Sequence, residues 1–475
     1  MHNPPILTTD YQQNRKTLDT MLRLDQNFDL IGRNIIIGSK KAVLYFVDGF
    51  AKDEVMEKIM EFLMGLSSEE VAKVFTAEEF SNKFVTYVEA DIANDCEKIV
   101  TGILSGTIGL LVESFSEVIM IDARTYPTRG MSEPEDSRVL RGSRDGFVET
   151  LVHNTALIRR RIRDPNLTMD ITQIGSRSKT DVVLCYLSGK TDSQILSTVK
   201  ERINNITIPA LTMSQESLAE CLAKPQWYNP FPRVRYSERP DAATASILEG
   251  NIVILVDNSP SAMILPTSLF DFTQDTNDFY FPPLVGTYLR FIRTIVFWLT
   301  LLLTPVWYLL IQNPQYIPSW LSFIQVEEPN QVPIIFQLLI IEFVVDGLKL
   351  ASLNTPSVLS SAFSVVGALI LGEFAIKAQW FVPEVVLYMA FVSIANFTQP
   401  SFELGYALKF FRIITLILTA IFNLWGFISG IVLMIVIAAT TKTITGRNYL
   451  YPIIPFNGRA FLNLMLRRRI NRFNS

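Results

Sequence analysis

Two carboxylates lie inside an apolar stretch of the chain, four residues apart. Glu342 and Asp346 belong to VPIIFQLLIIEFVVDGLKL (Val332–Leu350), which also carries Lys349. Residues four apart share one face of a helix. Because an ionised side chain in contact with lipid is costly, that face must contact protein, water or an interface. The pattern fits either an amphipathic helix at a membrane surface or the wall of a pore or cavity, where carboxylates attract cations.

A second apolar segment carries a stripe of small side chains. Its members recur at helical spacing: Ser357, Ser361, Ser364, Ala368 and Gly372. Small side chains let helix backbones approach closely. The stripe therefore predicts close packing, either within one subunit, or at a contact between two subunits or in a pore wall. These five residues and the two carboxylates are the candidate pore or interface residues.

Other chemistry finds little support in the sequence. The two histidines, His2 and His153, lie far apart, and the three cysteines form no CxxC pair. The SGKT at Ser188–Thr191 resembles the end of a phosphate-binding loop, but Leu184 stands where that loop requires glycine. Net charge is −4 and no basic stripe suggests nucleic acid. We therefore expect no catalytic residue, no cofactor, no metal site and no nucleic-acid partner, and thus not an enzyme.

The candidate residues are carried by long apolar runs between Thr294 and Ala439. The clearest runs are Thr294–Ile311, Ser357–Ile376, Trp380–Phe397 and Ile413–Ala439. About 20 apolar helical residues cross a hydrocarbon core about 30 Å thick. Residues 281–445 therefore predict a polytopic α-helical transmembrane domain with four to six crossings.

The last of these runs is too long for a simple crossing. It is interrupted by Asn423, Gly426 and Gly430. Three arrangements are compatible with the pattern: a tilted helix, two half-helices, or a re-entrant pair.

The distribution of basic residues predicts which side each end occupies. Arg290 and Arg293 precede the first run, residues 446–475 form a basic tail, and the loop between Ile311 and Val332 has no Lys or Arg. Basic residues concentrate in cytoplasmic segments. We therefore expect both termini in the cytoplasm and an even number of crossings.

The first 280 residues predict a soluble α/β region with an internal repeat. Lys41–Phe50 matches Asp181–Lys190 in its apolar pattern, and Gly106–Ile121 matches Gly250–Leu265 in the same order. Two related α/β subdomains explain such a repeat, since each buries a sheet face against helices. The expected division is a flexible lead or short helix at 1–29, subdomain 1 at 30–140, a helical connector at 141–175 and subdomain 2 at 176–280.

Three segments resemble motifs of one known family. They are RGSRDGFVETLVHNTALIRRRIRDPNL (Arg141–Leu167), RYSERPDAATASILEGNIVILVDNSPSAMILP (Arg235–Pro266) and SIANFTQPSFELGYALKFFRI (Ser393–Ile413). They are similar to the GerA A-subunit family of spore germination proteins over most of residues 140–440. FNLWGFISG and GRNYLYPIIPFNG resemble a branch of that family other than its nutrient-receptor subunits.

The resemblance implies a multi-pass protein of the spore inner membrane that acts at the start of germination. The resemblance to the family's A subunits also implies a homo-oligomeric ring of five chains, which forms a channel that releases monovalent cations. Expected partners are membrane lipid, further copies of the chain, a small membrane protein and other germination receptors. A monomeric transporter and a non-conducting scaffold that recruits germination partners remain the alternatives.

Overall fold

The computed structural model describes residues 6–51, 53–124, 142–223, 226–326, 331–354 and 373–466. The chain divides into two compact units. The first contains Met1–Pro225 and Val234–Pro266, and the second contains Gln226–Arg233 and Thr267–Ser475.

The first unit combines ten strands with nine helices in its described ranges. The strands are β1 Leu30–Ile37, β2 Lys40–Val47, β3 Ala90–Ala93, β4 Ile108–Val112, β5 Val118–Ile121, β6 Leu167–Ile174, β7 Thr180–Leu187, β8 Arg235–Ser237, β9 Ile252–Val256 and β10 Ala262–Leu265. The helices are α1 Tyr11–Leu22, α2 Asp53–Met64, α3 Ser68–Ala72, α4 Ala77–Phe84, α5 Cys96–Leu104, α6 Leu151–Arg161, α7 Ser193–Asn204, α8 Ser214–Leu222 and α9 Pro240–Leu248.

Two five-stranded sheets have the same strand order. The first runs β1-β2-β4-β5-β3 and the second β6-β7-β9-β10-β8, with antiparallel pairing throughout. The repeated segments fall on equivalent strands, β2 with β7 and β4-β5 with β9-β10. This is the arrangement that the internal repeat predicts. Strands β1 and β2 form a hairpin around a GSKK turn, in which Leu30 of β1 lies opposite Val47 of β2.

The polar N-terminal lead contains a packed helix, which agrees with the expected short helix rather than with the flexible lead. Asp10 caps α1 by accepting hydrogen bonds from the backbone N–H groups of Gln12 and Gln13. Leu18 and Leu22 are fully buried in the core beneath the first sheet. Burial of each such leucine contributes about 1.5–3 kcal/mol. The lead is therefore not flexible over α1, because these two side chains anchor it.

One buried arginine joins the two halves of the first unit. Arg159 of α6 is 0% exposed. It donates to both carboxylate oxygens of Asp29, which precedes β1, at 2.8 and 3.0 Å. It also donates to the carbonyl of Leu167 at the start of β6, at 3.1 Å. A buried charge must be paired and hydrogen-bonded, and here that requirement ties the connector helix to both sheets.

The second unit is helical over its described ranges. Its α-helices are α10 Asn277–Tyr280, α11 Pro283–Gln312, α12 Ile334–Asn354, α13 Ala375–Lys377, α14 Pro383–Asn396, α15 Phe402–Thr440 and α16 Gly458–Met465. Short 3-10 helices cover Leu269–Thr273, Pro314–Tyr316 and Ser319–Ile324. Among the described helices, α11 with 30 residues and α15 with 39 are long and apolar enough to cross a membrane.

Helix α15 is a hairpin of two helical arms. Asn423 interrupts it with φ 54° and ψ −131°. A Cβ atom placed on Gly426 would lie 1.8 Å from the carbonyl oxygen of Leu418, and one on Gly430 would lie 2.9 Å from the Cα of Thr415. In a continuous helix Leu418 and Gly426 would be about 12 Å apart along the axis. The chain therefore folds back at Asn423, which selects the paired arrangement among the three that the sequence allows.

The two arms, residues 402–422 and 424–440, are about 32 Å and 26 Å long at 1.5 Å per residue. The two arms pack closely against each other at Gly426 and Gly430, because these residues have no side chain and leave room for the backbone of the first arm. Spacing by four puts both glycines on one face, as in other close helix pairs.

We expect Gly426→Ala to destabilise the second unit by about 1–3 kcal/mol or more, because the added methyl group overlaps the first arm. Gly347→Ala is the matched control, since nothing lies within 4 Å of a Cβ placed at that helical glycine. The control should be neutral or stabilising by up to about 1 kcal/mol. Thermal unfolding of the detergent-purified variants measures both. Equal stability of the two variants would contradict the close packing of the arms.

Candidate functional site

The two carboxylates of α12 meet two cations of the first arm of α15. Arg412 donates through Nη2 to Glu342 Oε1 at 2.6 Å, and Lys409 Nζ lies 3.3 Å from the same oxygen. Lys409 also forms an ion pair with Asp346. The acids are four residues apart and the cations three, so each pair shares one helix face. These four residues are called the charge cluster below.

A third helix contributes a backbone group to the charge cluster. Arg412 donates through Nη1 to the carbonyl oxygen of Thr300 in α11 at 2.8 Å. Thr300 lies about 18 Å from the Gln312 end of α11 at 1.5 Å per residue. The cluster therefore lies well inside the length of α11 rather than at its end.

Most of the charge cluster is removed from solvent. Glu342 is 7% exposed, Lys409 6% and Arg412 4%. Removing such ions from water costs several kcal/mol each, and only a close counter-charge and additional hydrogen bonds offset that cost. The two acids and two bases balance in formal charge, which makes their burial tolerable.

The hydrogen bonding of the charge cluster is incomplete. Glu342 Oε2, Asp346 Oδ1 and Arg412 Nε are buried and have no hydrogen-bond partner among the residues that the structure describes. A buried polar atom without a partner is costly and calls for a specific explanation. Two carboxylate oxygens therefore remain able to accept a further donor or a cation.

Lys349 extends the charge cluster along α12. It lies three residues after Asp346, and its charge interacts with all four members. Its ammonium lies 4.9 Å from the centroid of the Phe397 ring, within the range of a cation–π contact.

The structure thus groups only some of the residues that the sequence singles out. Glu342 and Asp346 share one face, which packs against protein. Ser357, Ser361, Ser364, Ala368 and Gly372 lie outside the described residues. The sequence analysis did not identify Lys409 and Arg412 as site residues, because it considered them only as part of the family motif Ser393–Ile413. Their signal was available: two cations three residues apart in an apolar helix, equal in number to the acids of α12.

The arginines before the first apolar run are buried. Arg293 donates to both carboxylate oxygens of Asp278 at 2.7 and 2.9 Å, and Arg290 donates to one of them at 3.3 Å. Arg290 also donates to the carbonyl groups of Asn463 and Leu464 in α16. The two arginines therefore have a structural role in addition to the topological role that the sequence predicts for them. Acidic neighbours contribute little to membrane orientation, so the predicted cytoplasmic placement of this end is retained.

The first unit offers no second site of comparable chemistry within its described ranges. The Cys221 thiol is exposed, whereas burial raises the pKa of the thiols of Cys96 and Cys185. Thiols of this kind stay protonated at neutral pH and are poor nucleophiles. In the described part of the chain, no group of three or more His, Cys, Asp or Glu side chains is arranged to hold a metal ion.

Comparisons with known proteins agree with the motifs. The family model described as Bacillus/Clostridium GerA spore germination protein matches residues 17–475. Stage V sporulation protein AF of Bacillus subtilis (strain 168) is 35% identical over 98% of this chain and 93% of its own length. Spore germination protein KA of the same organism is 27% identical over 94% of this chain and 83% of its own length.

Among solved structures, the N-terminal domain of the A subunit of the Bacillus megaterium spore germinant receptor GerK3 is similar to part of the chain. The match covers 55% of this chain and 97% of that domain, at 23% identity and a TM-score of 0.43.

We expect Glu342→Gln to destabilise the protein by about 3–5 kcal/mol, because it leaves Arg412 buried without its counter-charge. In the double variant with Arg412→Gln the two losses should not add, with a coupling energy of about 0.5–3 kcal/mol. Glu373→Gln is the matched control, since Glu373 pairs with Lys377 at an exposed position and should cost no more than about 1 kcal/mol. The free energies of unfolding of the purified single and double variants give the double-mutant cycle. Strictly additive losses of stability would contradict the ion pair.

Proposed function

The chain belongs to the GerA family of spore germination proteins, and on that premise we propose that it is a subunit of a homo-oligomeric cation channel. In this proposal a pentamer in the inner membrane of the spore releases monovalent cations during germination. The observation that carries the proposal is the charge cluster, which joins α11, α12 and α15 by ion pairs and a backbone hydrogen bond.

The charge cluster supports conduction because of where its charges lie. Ionisable residues within apolar helices face the interior of a bundle or a water-filled cavity, and they mark ion pathways. The outward surface of the second arm is apolar in contrast, with Trp425, Val432 and Val436 all at least half exposed. Large exposed apolar surfaces of this kind mark contact with lipid or another protein. The helical unit therefore combines an apolar exterior with charge inside.

The hairpin supports the proposed topology. Asn423 at its tip exchanges side-chain hydrogen bonds of 2.7 and 3.1 Å with Asn313, next to the end of α11. The start of α11 and both ends of the hairpin consequently lie at the opposite end of this helix group. This favours a cytoplasmic position for residues 1–280 and for the tail 446–475, with four to six crossings by residues 281–445.

The proposed oligomer is supported by groups that the described part of a single chain leaves open. Asp346 keeps 32% of its side chain exposed on an apolar helix, so a neighbouring subunit or a water-filled path must cover it. Ser357, Ser361, Ser364, Ala368 and Gly372 are proposed to supply the close contact at the pore or between subunits. A small membrane protein and other germination receptors are the proposed further partners, and no catalytic activity is part of the proposal.

Potassium release from liposomes that hold the purified protein tests conduction. We expect faster release than from protein-free liposomes, and slower release for Glu342→Gln, because a carboxylate that attracts cations is lost. Ser364→Leu or Ala368→Leu should block release or disturb assembly. Subunit counting in detergent separates the channel from a monomeric transporter. Absence of release from intact wild-type oligomers would favour the non-conducting scaffold instead.

Cysteine labelling in intact cells tests the topology. The native Cys221 thiol is exposed and serves as the probe of the first unit, because Ser237 of β8 is buried. Ser475→Cys in a Cys221→Ser background reports on the tail, and Ser322→Cys in the same background is the control for the outer loop. An impermeant maleimide should label only the Ser322→Cys variant until the membrane is permeabilised. Labelling of Cys221 or of the tail in intact cells would rule the topology out.

A further inference from the structure

We propose that Glu342 and Asp346 form a binding site for one monovalent cation and that the ammonium group of Lys409 occupies this site when no ion is bound. The inference rests on the proposed channel function and adds the position at which an ion is held and the group that competes with it. It concerns the chain's own lysine, which closes a site that would otherwise take K⁺ or NH₄⁺.

The geometry around Lys409 is that of a bound cation. Its Nζ is paired with Asp346 and lies 3.3 Å from Glu342 Oε1. The second oxygen of each carboxylate is buried and without a partner among the described residues. Glu342 is more than nine-tenths buried. A cation at the place of the ammonium would therefore lie beside one oxygen of each carboxylate, and the second oxygen of each has no other partner among the described residues. NH₄⁺ and K⁺ are close in size, so the space suits either ion.

The two cations of the charge cluster differ in how firmly they are held. Arg412 donates to Glu342 through one nitrogen and to the carbonyl of Thr300 through another, which fixes its planar guanidinium. Lys409 carries a compact charge on a flexible four-carbon stem, and its ion-pair partners in the described part of the chain are the two carboxylates. A point charge on a flexible stem can move without breaking a second geometry-dependent contact. Lys409 is therefore the member that an ion can displace.

Charge balance allows the exchange. Glu342, Asp346 and Arg412 together carry a net formal charge of −1 once the ammonium of Lys409 has left the charge cluster. A bound K⁺ then restores the charge that Lys409 had supplied. Since burial of uncompensated charge is costly, ion entry and lysine departure are expected to occur together.

Asp346 provides the route of entry. Its side chain is 32% exposed, whereas that of Lys409 is 8% exposed. An ion arriving from the exposed side of α12 meets the Asp346 carboxylate before the buried ammonium. The site therefore opens toward the same surface on which the proposed channel needs a neighbour or water.

Binding is tested first, without any measurement of conduction. The full-length protein with Lys409→Gln is purified, and its Tm is measured in KCl and in N-methylglucamine chloride at equal ionic strength. We expect K⁺ to raise the Tm of this variant by about 2–4 °C at saturation. The wild type and the control Lys377→Gln, whose ammonium forms an exposed pair with Glu373, should show no such difference.

Two further variants keep the binding test decisive. The double variant Lys409→Gln with Asp346→Asn should lose the response to K⁺. Lys409→Met replaces the first variant if that one is too unstable to purify. An equal Tm in the two salts, or failure of both single variants to fold even in KCl, would overturn the proposal, because bound K⁺ should replace the missing charge.

Conduction is tested separately. Liposomes with Lys409→Gln should release K⁺ at least about tenfold faster than liposomes with wild type, because the competing charge is gone. A response of Tm to K⁺ without any release would support the site and contradict the channel. Release by the wild type without any response of Tm in Lys409→Gln would support the channel and contradict the site.

Discussion

An ionised side chain within an apolar helical bundle must keep its counter-charge beside it, because neither lipid nor packed protein replaces its hydration. In the second unit this constraint acts on Glu342, Asp346, Lys409 and Arg412, whose mutual contacts decide which faces of α12 and α15 meet. Apolar packing alone would not determine which helix faces meet, since a largely uniform apolar surface permits many helix rotations. The bond from Arg412 to Thr300 extends the same constraint to α11.

The hairpin of α15 gives the charge cluster its fixed place. Gly426 and Gly430 let the second arm pack against the backbone around Leu418 and Thr415. The first arm is consequently held on one side by the second arm and on another by the ion pairs to α12. Its cations cannot rotate away from the acids without opening both contacts. A close backbone approach and a set of charges thus define one arrangement together.

The sequence predicted the parts of this protein that local patterns determine. The repeated segments that form β2 and β7 predicted two related sheets, because the alternation of apolar and polar residues and the turn signals extend over only a few residues. The form of the α15 segment stayed open, since hydropathy is the same for a long helix and for a folded pair, although Asn423 and its glycines marked the break. Lys409 and Arg412 were missed because their partners lie more than sixty residues earlier. Pairing over such a distance depends on tertiary packing, which no local pattern contains.

A comparison of two buried charge groups within the chain explains why one is assigned a function and the other is not. Arg159 and Asp29 are nearly inaccessible and use both carboxylate oxygens, with the carbonyl of Leu167 as a further acceptor. Such a saturated pair has only one favourable state, and breaking it costs several kcal/mol. The charge cluster instead leaves oxygens of Glu342 and Asp346 unused while a flexible ammonium lies between them. An unsaturated group of this kind has a second favourable state as soon as another cation arrives, and that is the physical requirement for a site that binds and releases an ion.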